Sequence, residues 1–158
     1  MEMTEMSIEV GQSAPDFELS DQHGQTVRLS DFTGRKNVLL VFYPLAFSGV
    51  CQGELRELRD NTAEFSTDDV QVLSVSVDSM FAHRAWADAE DLEYPLLSDF
   101  WPHGEVADAY GVFDETRGVA LRGTFLIDTE GVVRWKVVNP ISESRSLEDY
   151  RKALADLT

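Results

Sequence analysis

Along the chain the spacing of apolar positions changes period several times, and each change marks an element. "NVLLVFY" (Asn37 to Tyr43) is an almost unbroken apolar run rich in branched and aromatic residues, the pattern of a central strand covered on both faces. From Ser48 the period lengthens: Cys51, Leu55, Leu58, Thr62 and Phe65 recur at steps of four and three, with Gln52, Glu54, Arg56, Glu57, Arg59 and Asp60 between them. This predicts an amphipathic helix reaching Phe65, with Ser48 as N-cap, Cys51 inward at the third helical position and Glu54 among the outward polar residues. "VQVLSVSVD" (Val70 to Asp78) alternates as strands do, and "SMFAHRAWADAEDL" (Ser79 to Leu92) returns to helical spacing.

The flanks complete the order. "DFEL" and "TVRL" lie either side of the polar "SDQHGQ" and predict a hairpin turning at Gly24. "YPLLSD" predicts a short strand, Glu105 to Tyr110 a short helix, and "RGTFLID" and "VVRWKVV" two strands joined by the turn "DTEG". "SLEDYRKALADL" predicts a closing helix capped by Ser146. The expected fold is α/β: a mixed central β-sheet with helices on both faces and an N-terminal β-hairpin, a thioredoxin-like order of elements. Residues 1–9 read as a loose tail and residues 10–158 as one domain.

Charge narrows the function classes. The chain carries 29 Asp and Glu against 13 Lys and Arg, for a net charge of −16, a field that repels phosphate backbones and anionic lipid. Nucleic acid and membrane are therefore not expected partners. No apolar run is long enough for a membrane span and the N-terminus has acids where a signal peptide is basic, so a cytoplasmic protein is expected.

The chemistry centres on Cys51, the single cysteine among 158 residues. A thiol at a helix N-terminus loses its proton more readily because the free N–H groups and the dipole favour an anion. An ordinary thiol is only about 3% thiolate at neutral pH, so full deprotonation gains at most roughly 30-fold. Any larger acceleration must come from groups that act on a substrate. Ser48 lies one turn upstream, and Pro44 ends the buried strand, where it would shield the thiol and restrict the loop. An arginine fixed at the sulfur would stabilise both thiolate and leaving oxyanion. Arg56 and Arg59 fall on the outward face, whereas Arg122 leads into the apolar "TFLID" and is the better candidate.

"PLAFSGVC" (Pro44 to Cys51), with Arg122 in "RGTF", resembles the peroxiredoxin signature of Pro, three residues, Thr or Ser, two residues, Cys. The resemblance extends from "VGQSAPDFEL" through "LLSDFWPHGEVADAYGVF" to Asp128. Within the family the chain looks like the one-cysteine subgroup called alkyl hydroperoxide reductase E, known from actinobacteria. The resemblance implies a thiol peroxidase for hydrogen peroxide, organic hydroperoxides and peroxynitrite, working without a cofactor or metal. Cys51 would be the peroxidatic nucleophile and pass through a sulfenic acid. Ser48 would hydrogen-bond the peroxide, Arg122 would hold the thiolate and polarise the O–O bond, and the N–H groups of Val50 and Cys51 would complete the cradle. Pro44 would shield the site and Glu54 would orient Arg122. Without a second cysteine the sulfenic acid needs an external thiol, whether mycothiol, glutathione, mycoredoxin or thioredoxin. The resemblance also implies a homodimer.

Serine replaces the family's more frequent threonine at position 48, which keeps the hydroxyl but loses the methyl that stiffens it. Two other readings fit the same order of elements. A thiol-disulfide oxidoreductase would need a second cysteine where Glu54 stands, and a non-enzymatic binding protein would bury Cys51 as an inert thiol. His23, His83 and His103 are too scattered for a metal site and read as surface or satisfied histidines, while Phe81, Trp86, Phe100 and Trp101 read as core or interface.

Overall fold

A computed structural model describes residues 8–157. Seven strands form one mixed sheet. Its centre is β3 (Asn37–Phe42), the apolar run, paired in parallel with β4 (Val70–Ser76) and antiparallel with β8 (Arg122–Ile127). Beyond β4 lie the parallel β5 (Leu96–Ser98) and then the hairpin β1 (Glu18–Ser20) and β2 (Thr26–Arg28). Beyond β8 lies β9 (Val133–Asn139), joined to it through the expected turn at Gly131, whose φ of 79° suits a residue without a side chain.

Strand β3 divides the interior by its two-residue period. Leu39, Val41 and Tyr43 pack under α1 (Gly49–Asp60), α3 (Met80–Glu90) and α5 (Leu147–Asp156), with Leu55, Leu58, Trp86 and Tyr150. Val38, Leu40 and Phe42 point the other way, toward Leu73, Tyr110, Phe125 and α4 (Glu105–Ala109). Helices thus cover both faces, and the thioredoxin-like α/β fold is as expected.

Local differences have local causes. The helix does not run unbroken to Phe65: it stops at Asp60, and a separate turn, α2 (Thr62–Phe65), follows. The Thr62 hydroxyl donates to the carbonyls of Leu58 and Arg59, acceptors that backbone N–H groups of the next turn would have used. A small second hairpin, β6 (Phe113–Asp114) with β7 (Val119–Ala120), precedes β8. It is too short to leave a periodic signal. Most of the expected tail lies outside the described residues; Ile8 packs on the core and Glu9 meets Lys136 at 3.3 Å.

Candidate active site

Antiparallel pairing of β3 with β8 decides where the chemistry can happen. Val41 pairs with Thr124, so the end of β3 lies beside the start of β8, and Arg122 comes to the first turn of α1. The chain leaves β3 through Tyr43 and Pro44 and enters α1 with Cys51 as its third residue, as expected. Arg122 Nη1 donates to Cys51 Sγ at 3.2 Å and to Glu54 Oε1 at 2.7 Å, while its Nε donates to the Ile141 carbonyl at 2.6 Å. A guanidinium held at three points has little freedom left.

Glu54 departs from the amphipathic reading. It is buried, one turn below Cys51, because two guanidinium groups meet it there. Besides Arg122 it accepts from Arg145: Nη2 to Oε1 at 2.7 Å, Nε to Oε2 at 2.9 Å and the backbone N–H to Oε2 at 2.7 Å. Burial opposes ionisation of Glu54, but the hydrogen bonds and charge of Arg145, with the charge of Arg122, outweigh it and hold the carboxyl below its usual range. Arg145 also donates to the Phe42 and Gly123 carbonyls and to Thr124 Oγ1. Sequence reasoning missed it. "SESRS" reads as a solvated loop, and no pattern distinguishes this arginine from a surface one.

Ser48 occupies the N-cap position, but its side chain does not cap. Its hydroxyl donates instead to the Leu45 carbonyl at 2.9 Å. The N–H groups of Gly49, Val50 and Cys51, which have no acceptor within the helix, therefore stay free of a side-chain cap. Pro44, Leu45, Ser48, Val50, Val119, Arg122 and Ile141 line a largely apolar cavity of about 430 Å³, with Arg117 at its exposed rim. Cys51 itself is fully buried, behind this cavity rather than on its wall. Arg56 and Arg59 lie on the outer face and pair with Glu90 and Asp60, away from the sulfur. The three histidines do not converge: His83 is buried, with its Nε2 hydrogen-bonded and its Nδ1 without a partner among the described residues.

A thioredoxin-like sheet that brings a helix-start cysteine to a fixed arginine is the arrangement of a peroxiredoxin. Residues 10–136 match the AhpC/TSA family, and the chain belongs to that family of thiol-dependent peroxidases. It is of the one-cysteine type and is 50% identical to alkyl hydroperoxide reductase E of Mycobacterium tuberculosis over 151 residues, spanning 96% of this chain and 99% of that protein. It is also 40% identical to the chloroplastic 2-Cys peroxiredoxin BAS1 of Spinacia oleracea, spanning 94% of this chain and 59% of that one. Among solved structures, Enterococcus faecalis AhpC superposes with a TM-score of 0.85 at 34% identity, over 96% of this chain and 93% of that one.

Proposed function

We propose that this peroxiredoxin reduces hydrogen peroxide and organic hydroperoxides through a sulfenic acid on Cys51, and that an external thiol restores it. The observation that carries the reading is the position of Arg122 Nη1, 3.2 Å from Cys51 Sγ and 2.7 Å from Glu54 Oε1. Two buried guanidinium groups share a single carboxylate, which leaves one positive charge beside the sulfur without a second acid among the described residues to balance it. The thiolate attacks the terminal oxygen of the hydroperoxide. An S–O bond forms, the O–O bond breaks, and the leaving alkoxide or hydroxide takes a proton to become alcohol or water. Arg122 stays beside both the sulfur and the departing oxygen, and the free N–H groups of Val50 and Cys51 with the Ser48 hydroxyl supply further donors. Pro44 keeps water from the thiol, and Glu54 orients Arg122. Leu45, Val50, Val119 and Ile141 give the cavity the apolar lining that suits an organic hydroperoxide.

With one cysteine in the chain, a first external thiol displaces water from the sulfenic acid to give a mixed disulfide, and a second thiol releases Cys51. A reducing compartment such as the cytoplasm suits this division of labour. A homodimer is part of the same reading: Phe47, Phe81, Phe100 and Trp101 are exposed large apolar side chains, with Phe81 at 71% and Trp101 at 81%, and such groups favour contact surfaces. The test is peroxide consumption in the presence of mycothiol, glutathione, mycoredoxin or thioredoxin, each supplied alone. Turnover should require Cys51 and one of these reductants. Equal turnover by Cys51→Ser would overturn the reading.

A further inference from the structure

Behind the loop from Pro44 to Ser48 lies a buried polar network that the peroxide chemistry does not use. Asp78, just after β4, accepts at Oδ2 from the Ala46 N–H at 2.7 Å and from the Ser76 hydroxyl at 2.6 Å. A carboxylate only accepts, so the Ser76 proton is committed to Asp78. His83 Nε2 lies 2.7 Å from the same Ser76 Oγ, so the buried imidazole backs the serine that holds Asp78. Tyr43, the residue before Pro44, places its hydroxyl 3.2 Å from the same nitrogen. The network thus touches the loop at its root, through Tyr43, and at its middle, through Ala46.

The loop needs such a hold. Phe47, the residue after Ala46, has a φ of 67°, in the left-handed region that a bulky side chain rarely adopts and that the surrounding structure has to hold. Cys51 has no solvent exposure in this shape of the loop, yet a thiol reductant has to reach its sulfur. A small peroxide needs only a slight displacement of the loop to touch the sulfur, whereas a bulkier thiol needs it uncovered further.

We propose that Asp78, oriented by Ser76 and His83, is a positioning residue that latches the Pro44–Ser48 loop in its strained, peroxide-reactive shape and sets how readily that loop opens to the reductant. The inference rests on the peroxidase reading of Cys51. Without the Ala46 to Asp78 bond the Phe47 strain relaxes, the cavity wall formed by Pro44, Leu45 and Ser48 loses its register with Arg122, and the sulfur is uncovered more often.

The test measures three rates on the full chain: oxidation by hydrogen peroxide, reduction of the oxidised protein by dithiothreitol, and alkylation of reduced Cys51 by iodoacetamide. In Asp78→Ala the peroxide step should slow about tenfold or more while reduction and alkylation both speed up, as loss of a charge-assisted hydrogen bond implies. Asp78→Asn keeps an oxygen for the Ala46 N–H and should fall between Ala and wild type in all three. Ser76→Ala, which leaves the Ala46 bond in place, should move the rates in the same directions by less. Rates that fall together, or that stay unchanged in folded Asp78→Ala, overturn the latch. Wild-type protein inert to peroxide would sink the peroxidase reading instead, and the alkylation rates would still decide whether Asp78 controls access.

Discussion

Arg145 grips Glu54 with three hydrogen bonds, from Nε, Nη2 and its own backbone N–H, and no other pair in the site is joined so completely. This clamp ties the loop after β9 to the first helix, beneath the sulfur. It also fixes the carboxylate against which Arg122 is aimed.

Removing Arg145 leaves Glu54 to Arg122 alone and takes a buried donor from the Phe42 and Gly123 carbonyls and from Thr124 Oγ1. Arg145→Ala is therefore expected to destabilise the protein by about 3–5 kcal/mol, read as a lower urea midpoint with an unchanged slope. Arg145→Lys should be intermediate, because an ammonium keeps the charge but cannot reach Glu54, Phe42, Gly123 and Thr124 together.

Arg122 Nη1 lies 3.2 Å from Cys51 Sγ, so its loss should fall on rate. Arg122→Met is expected to slow oxidation of Cys51 by about a hundredfold or more, the scale of one lost oxyanion donor. Glu54→Gln should slow it less and destabilise more, since the two buried guanidinium groups then lose their shared anion. Stopped-flow oxidation and urea unfolding of the same variants separate the two effects.

Much of this site was legible in the sequence, and the missing parts share a cause. Cys51, Ser48, Pro44 and Arg122 stand in a compact motif and at the mouth of an apolar strand, where spacing and burial both leave marks. Glu54 reads as an outward residue because periodicity sorts by polarity and cannot see that two arginines from distant segments will meet it inside. Arg145 reads as loop for the same reason: its burial comes from tertiary contact alone. Ser48 holds the predicted cap position, yet its hydroxyl serves the Leu45 carbonyl, a choice between two local acceptor and donor patterns that the residue type does not settle. The order of elements is readable in the sequence apart from the break at Asn61, the two-residue strands β6 and β7, and the short 3-10 turn Leu29–Phe32 that follows β2.

Burial pushes His83 down to about 4, against the pull of Asp78 and the Leu96 backbone. The unfolded chain takes up this proton near pH 6.5, so between about pH 6.5 and 4 the unfolded state binds more protons and stability falls as pH drops. Asp99 works in the opposite sense: burial raises it from 3.8 to about 6 despite the N–H groups of Ala107 and Val106, so its contribution falls as pH rises through that window. Subtracting the stability of His83→Gln from that of wild type isolates the histidine. That difference should decrease by about 3 kcal/mol from pH 6.5 to 4, measured by urea unfolding at each pH.

The exposed rings offer a test of the proposed homodimer. Trp101→Asp should convert the protein from dimer to monomer in sedimentation experiments at micromolar concentration, because burying a carboxylate in an apolar contact is costly. A wild type that already sediments as a monomer would remove the homodimer from the account.

The proposed chemistry requires Cys51, held by Arg122, to take one oxygen atom from a hydroperoxide. The most direct measurement mixes the reduced protein with one equivalent of hydroperoxide and locates the oxygen by trapping and mass spectrometry over time. A single oxygen on Cys51, gained far faster than on free cysteine and much more slowly in Arg122→Met, is the predicted result. Peroxide consumed while Cys51 stays reduced, or consumed at the same rate by Cys51→Ser, would contradict it.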